Sequence, residues 1–124
     1  MISKINYYNW KDWNLDNIKI DFEKITVKLS DDNDINIQLD VYHYIGLSYL
    51  GHWDETVIDD IKVSKTGELI KKSIDEVTKN YGKNPIKGGG IKNINDDWLQ
   101  INIKLIDGVV IKFVCREIGL IKIP

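Results

Sequence analysis

The sequence predicts one α+β domain: a mostly antiparallel, curved sheet or partial barrel of about six to seven strands, with a single amphipathic helix. Three observations carry that prediction. Apolar residues alternate with polar ones along most of the chain, which is the period of a half-buried strand. One stretch, about residues 66–81, changes to a period near 3.6. The length of 124 residues, with 43% hydrophobic and 29% charged residues, suits a single core over residues 1–124 that needs no disulfide or metal staple.

From the N-terminus, Tyr7 to Trp13 is aromatic and polar without clean periodicity, and is expected to lie across one end of the core with Trp10 and Trp13 as plugs. Ile18, Ile20 and Phe22 alternate as a strand. The apolar phase shifts at Glu23-Lys24, as a bulge or short turn would require, and resumes at Ile25, Val27 and Leu29. After Ser30 to Asp34 it continues through Ile35, Ile37, Leu39 and Val41. Pairing Leu29 with Ile35 across a five-residue loop puts these side chains on one face.

The same parity runs on to His43, Ile45, Leu47 and Tyr49, longer than a usual strand, with Gly46 the place to bend it. Val57 to Val63 reads as another strand despite poor alternation. In the helical stretch, Ile70, Ile74, Val77 and Tyr81 form one stripe. Thr66 is the expected N-cap, Glu68 and Lys79 suit the two ends of the dipole, and Gly82 is the expected C-terminal stop with Pro85 beyond. Asn84 to Asp97, with its three glycines, reads as a connector. Leu99 to Leu105 and Val109 to Cys115 form the clearest hairpin. Face matching selects the three-residue loop Ile106-Asp107-Gly108, with Leu105 opposite Val109 and Ile103 opposite Ile111. Gly119 is expected to break the chain before a short terminal strand at Ile121 and Ile123.

Charge and motifs exclude more than they assign. The formal net charge is −2 and the densest charged cluster is acidic, which argues against nucleic acid and anionic membranes. No apolar run reaches a membrane-spanning length, no secretion signal is visible, and the one cysteine rules out an intrachain disulfide. A cytoplasmic protein is the expectation, and the Ile, Asn and Lys bias points to an AT-rich bacterial genome. Asp32, Asp34 and Asn36 imitate the opening of a calcium loop, but Ile37 and His43 stand where glycine and a carboxylate are needed. Solvation of a hairpin loop is the better reading. The glycines 88–90 lack the strand and helix of a phosphate cradle. Cys115, on the apolar parity of its strand, reads as a buried thiol. No cofactor or metal motif is present, and an enzyme is the less favoured class.

Two groups of residues remain as candidate binding positions. His52, Trp53, Asp54 and Glu55 combine an imidazole, a large aromatic and two carboxylates at a turn. Tyr42 and Tyr44 fall on the parity opposite the apolar set, so the outer face of the sheet is expected to carry them. The leading expectation is a non-catalytic protein-interaction module, of the immunity or regulatory kind, with a protein partner. The alternative is a small-molecule-binding protein or enzyme with a pocket near His52, Asp54 and Glu55, and a homodimer through an open sheet edge is a third arrangement.

Overall fold

Two four-stranded antiparallel sheets face each other across the core in a computed structural model that describes residues 2–50, 53–81 and 97–123. The first sheet has the order β1-β2-β3-β8, built from β1 (Asn14–Ile20), β2 (Lys24–Ser30), β3 (Asn36–Tyr42) and β8 (Glu117–Ile123). The second has the order β4-β7-β6-β5, built from β4 (Gly46–Ser48), β7 (Val110–Cys115), β6 (Leu99–Leu105) and β5 (Ile58–Ser64). Two helices complete the described residues, α1 (Ile2–Tyr7) and α2 (Glu68–Tyr81). The sheets do not close into a barrel, and none of the described helices is long and apolar enough to cross a membrane.

Two bent strands join the sheets. β3 runs on into β4 through His43, Tyr44 and Ile45, while its neighbour β7 runs on into β8 through Arg116. Between the pairs Tyr42–Glu117 and Gly46–Val114, three residues on one strand therefore oppose two on the other, a bulge of the kind that turns strands from one sheet into the next. His43 takes the left-handed conformation at φ 55°. Ile45 N–H donates to Val114 O at 2.8 Å, and Arg116 N–H donates to Tyr42 O at 3.3 Å, so the corner keeps its backbone bonds. The bend thus falls at His43 and not at Gly46. Gly46 serves another purpose: a Cβ there would run into the Ser73 hydroxyl of α2, so the glycine lets the helix sit close on the strand.

Alternation fills the space between the sheets. Ile25, Val27, Leu29, Ile37, Leu39 and Val41 from one sheet meet Ile61, Ile101, Ile103, Leu105, Ile111 and Phe113 from the other, all sealed from solvent. The terminal hairpin has the expected register. Ile103 opposes Ile111, Leu105 N–H donates to Val109 O at 2.9 Å, and Gly108 supplies the left-handed residue at φ 94°. The β2–β3 hairpin slips by two residues from expectation, with Leu29 opposite Ile37 and the five-residue loop displaced to Asp31–Ile35. Asp31 Oδ1 accepts from Asn33 N–H at 3.0 Å and Ile35 N–H at 2.9 Å, which leaves Ile35 partly in solvent.

Other elements depart from the sequence expectations for local reasons. Phe22 lies in the β1–β2 turn, 78% exposed. The Asp21 carboxylate organises that turn by accepting from Glu23 N–H at 2.9 Å and Lys24 N–H at 3.0 Å, bonds that hold it below the usual carboxylate range. The weak alternation of β5 reflects a register shift between Ile58 and Asp60. β8 continues through Gly119 without a break. The N-terminal aromatic stretch does plug the core, but it is led by α1, which the sequence reading missed.

Helix α2 covers the outer face of the second sheet, where Leu69, Ile70, Ile74 and Val77 pack on Trp98 and Val114. It begins at Glu68, and its N-terminal cap comes from across the sheet. Gln100 Oε1 accepts from Leu69 N–H at 3.2 Å, filling the role expected of Thr66. The expected C-terminal stop at Gly82 and Pro85, and the glycine connector up to Asn95-Asp96, lie outside the described residues.

Candidate functional site

The chain zips its two sheets together along one seam and then lets them part. At the start of β1, Asp12 N–H donates to Ile58 O at 2.9 Å, Ile58 N–H to Trp13 O at 2.7 Å, and Leu15 N–H to Thr56 O at 2.7 Å. A single bridge, Asn14 with Val57, marks the junction. Immediately afterwards β1 shifts register against β2 between Leu15 and Asn17. Such a bulge re-aims a strand, and no further bond joins β1 to the second sheet among the described residues.

A cleft of about 180 Å³ opens where the seam ends, lined by Ile18, Ile20, Leu47, Tyr49, Trp53 and Ile111. Its wall is apolar because Ile18 and Ile20 oppose the core residues Val27 and Ile25, while Leu47 opposes Phe113. These are core-facing positions, and Ile20 and Leu47 lack a covering neighbour among the described residues. Ile20 is 49% exposed, Leu47 46% and Trp53 39%. Large apolar side chains left open together, and not scattered singly, mark a contact surface.

Polar groups around the cleft are few and fixed. The Trp53 indole N–H donates to Glu55 O at 2.8 Å, and Glu55 Oε1 accepts from Val57 N–H at 3.1 Å. Both residues thereby set the loop, leaving the ring of Trp53 to the cleft. Tyr49 packs near it, ring centroids 6.1 Å apart. The Tyr49 hydroxyl has no hydrogen-bond partner among the described residues although it is shielded from solvent. Burial, with the charges of Asp107 and Asp54, raises its pKa above the ordinary phenol value.

The structure separates the residues that the sequence grouped. Trp53 stands in the cleft wall, Asp54 is exposed beside it, Glu55 is spent on the loop, and His52 lies outside the described residues. Tyr42 does stand on the outer face of the first sheet. Tyr44 does not join it, because the bulge at His43 breaks the parity. It packs against the core, and its hydroxyl donates to Asp21 O at 2.5 Å. Ile18, Ile20, Leu47, Tyr49 and Ile111 were not singled out from sequence, since their alternation reads as core and says nothing of what covers them.

Tyr42 belongs to a second cluster. Asp40, only 2% exposed on an otherwise open sheet face, accepts from Gln38 Nε2 at 2.9 Å and from the Tyr42 hydroxyl at 3.3 Å. Lys24 Nζ lies 3.6 Å from it and 5.7 Å from the Tyr42 ring centre. The carboxylate is fully engaged, which makes this a structural network. Cys115 is buried and burial pushes its thiol up to about 12, far from the range of a nucleophile. Among the described residues, no group of three His, Cys, Asp or Glu is placed to hold a metal ion. Comparison with protein-family models, curated proteins and solved structures finds no match to this chain.

Proposed function

We propose that this chain is a non-catalytic protein-interaction module, of the immunity or regulatory kind, that takes an apolar side chain of a protein partner into the cleft beside Trp53. The observation that carries the reading is the convergence of Ile20, Leu47 and Trp53, each 39–49% exposed, on one cleft at the end of a seam that is otherwise zipped. Volume favours a side chain over a free ligand. Sites for drug-sized molecules span roughly 300–1,000 Å³, and about 180 Å³ suits a single anchor residue. Aromatic anchors in small desolvated pockets supply much of the energy of protein interfaces. Phe22 and Leu50, 78% and 83% exposed, extend the apolar surface along the chain from Ile20 and Tyr49.

Site-specific photo-crosslinking in the cells that naturally express the chain tests the reading. A photoreactive residue at Leu47 should yield one discrete protein adduct, lost on Trp53→Ala, whereas the same residue at the exposed Lys28 should yield none. A cleft saturated instead by a small molecule in native mass spectrometry, with no protein adduct, would transfer the site to the small-molecule reading.

A further inference from the structure

The mode of docking follows from the strand that borders the cleft, and the inference rests on the reading of the cleft as a partner site. β4 pairs with β7 on one side and, among the described residues, with no strand on the other. An open edge presents unpaired N–H and C=O groups to any extended chain that reaches it. The opposite edge of the same sheet is treated differently. On β5, the Asn6 side chain donates to Val63 O at 2.8 Å and accepts from Val63 N–H at 2.8 Å, occupying backbone groups that another strand would need.

Depressions flank β4 on both faces. On the core side lies the apolar cleft, entered beside Leu47 and Ile111. On the outer side a wider hollow of about 470 Å³ is lined by Ser48, Leu50, Asp107, Val110 and Lys112. The pairings explain the division: Leu47 opposes Phe113 of the core, and Ser48 opposes Lys112 of the outer face. Successive side chains of a strand point to opposite faces. A strand laid along β4 would therefore put one residue in the cleft and its neighbours in the outer hollow.

Charge narrows the occupant further. Asp107 borders the outer hollow and Asp54 follows Trp53 of the cleft wall, both exposed, and the charges of both bear on the Tyr49 phenol. Lys112 lines the same hollow, so its charged lining is one carboxylate and one ammonium group, with Asp54 exposed next to the cleft wall. We propose that the partner docks as an extended segment added to the free edge of β4, with a large apolar residue in the cleft and a neighbouring Lys or Arg beside Asp107. This is recognition by strand addition, in which main-chain bonds give affinity and alternate side chains give specificity.

A random linear octapeptide library displayed on phage and selected against the whole protein tests this. Enriched peptides should carry a large apolar residue with Lys or Arg directly beside it. Their binding should fall about tenfold or more on Trp53→Ala, and by a similar factor when the peptide backbone is N-methylated at alternate positions. Leu47→Asp, with folding checked by circular dichroism, gives an independent loss. Peptides that tolerate N-methylation throughout, that carry acidic neighbours, or that space their apolar residues as a helix does would overturn strand addition. So would a failure to enrich any peptide, or a concentration-dependent dimer abolished by Leu47→Asp, which would make a second copy the occupant. The Leu47 photo-adduct separates the two levels: if it persists while strand addition fails, the cleft remains the partner site and only the docking mode is wrong.

Discussion

The two ends of the seam between the sheets use the same residue types to opposite ends. At the zipped end, Trp10 is fully buried, its indole N–H donates to Ile5 O at 2.8 Å, and Tyr8 and Trp13 pack on it with ring centres 5.0 Å away. Asn6 closes the neighbouring strand edge. At the open end, Trp53 and Tyr49 sit on a cleft that no described element fills, and the tyrosine hydroxyl has no partner among the described residues. An aromatic cluster built on a sealed ring whose indole N–H is satisfied is holding the fold together. One with an exposed indole ring, and a tyrosine hydroxyl that has no partner among the described residues, is available to something else.

Changes at the zipped end should be the most damaging. Trp10→Ala removes the largest sealed side chain and should destabilise by about 3–5 kcal/mol in urea denaturation. A loss under ~1 kcal/mol would make the plug dispensable and erase the contrast. The sealed interior should also respond to alkali through Cys115. Its thiol is raised from 9 to about 12 by burial, so the folded state holds the proton more tightly than the unfolded state. That contribution is fully present below about pH 9 and is lost as pH climbs toward 12, at ~1.4 kcal/mol per pH unit and about 4 kcal/mol in all. Cys115→Val should flatten the dependence measured across about pH 9–11. An unchanged slope would place the alkaline sensitivity elsewhere.

Asn6→Ala strips the paired bonds from Val63 and should cost about 1–3 kcal/mol. It should also expose the β5 edge, seen as faster exchange of the Val63 amide hydrogen; an unaltered exchange rate would mean that the edge is covered without Asn6. The smallest effect belongs to the open end. Tyr49→Phe deletes a hydroxyl that makes no hydrogen bond among the described residues, so the melting temperature should hold or rise. A clear fall would reveal a partner for that hydroxyl.

The contrast also marks what a sequence can convey. The Leu105–Val109 hairpin was readable because its loop length, its glycine and both strand faces all demanded the same register. The β2–β3 register was not. A slip of two residues leaves every side chain on its own face, so alternation cannot distinguish Leu29–Ile35 from Leu29–Ile37. Helix α1, at six residues, is too short to display a helical period. The corner at His43 depends on one residue in a left-handed conformation, which no pattern announces. In the candidate site, Trp53 could be picked out as a large aromatic at a turn. Ile20 and Leu47 could not, because periodicity reports which face a residue occupies and never whether that face is roofed.

The central claim is that the cleft residues are present for contact and not for stability, and the double variant Leu47→Ala with Trp53→Ala measures this most directly. Urea denaturation should show a combined loss of about 2–3 kcal/mol from the two residues together, short of the single change at Trp10, because Leu47 and Trp53 keep 46% and 39% of their surface in solvent. A loss of ~4 kcal/mol or more, equal to that of Trp10→Ala, would show that Leu47 and Trp53 belong to the core after all.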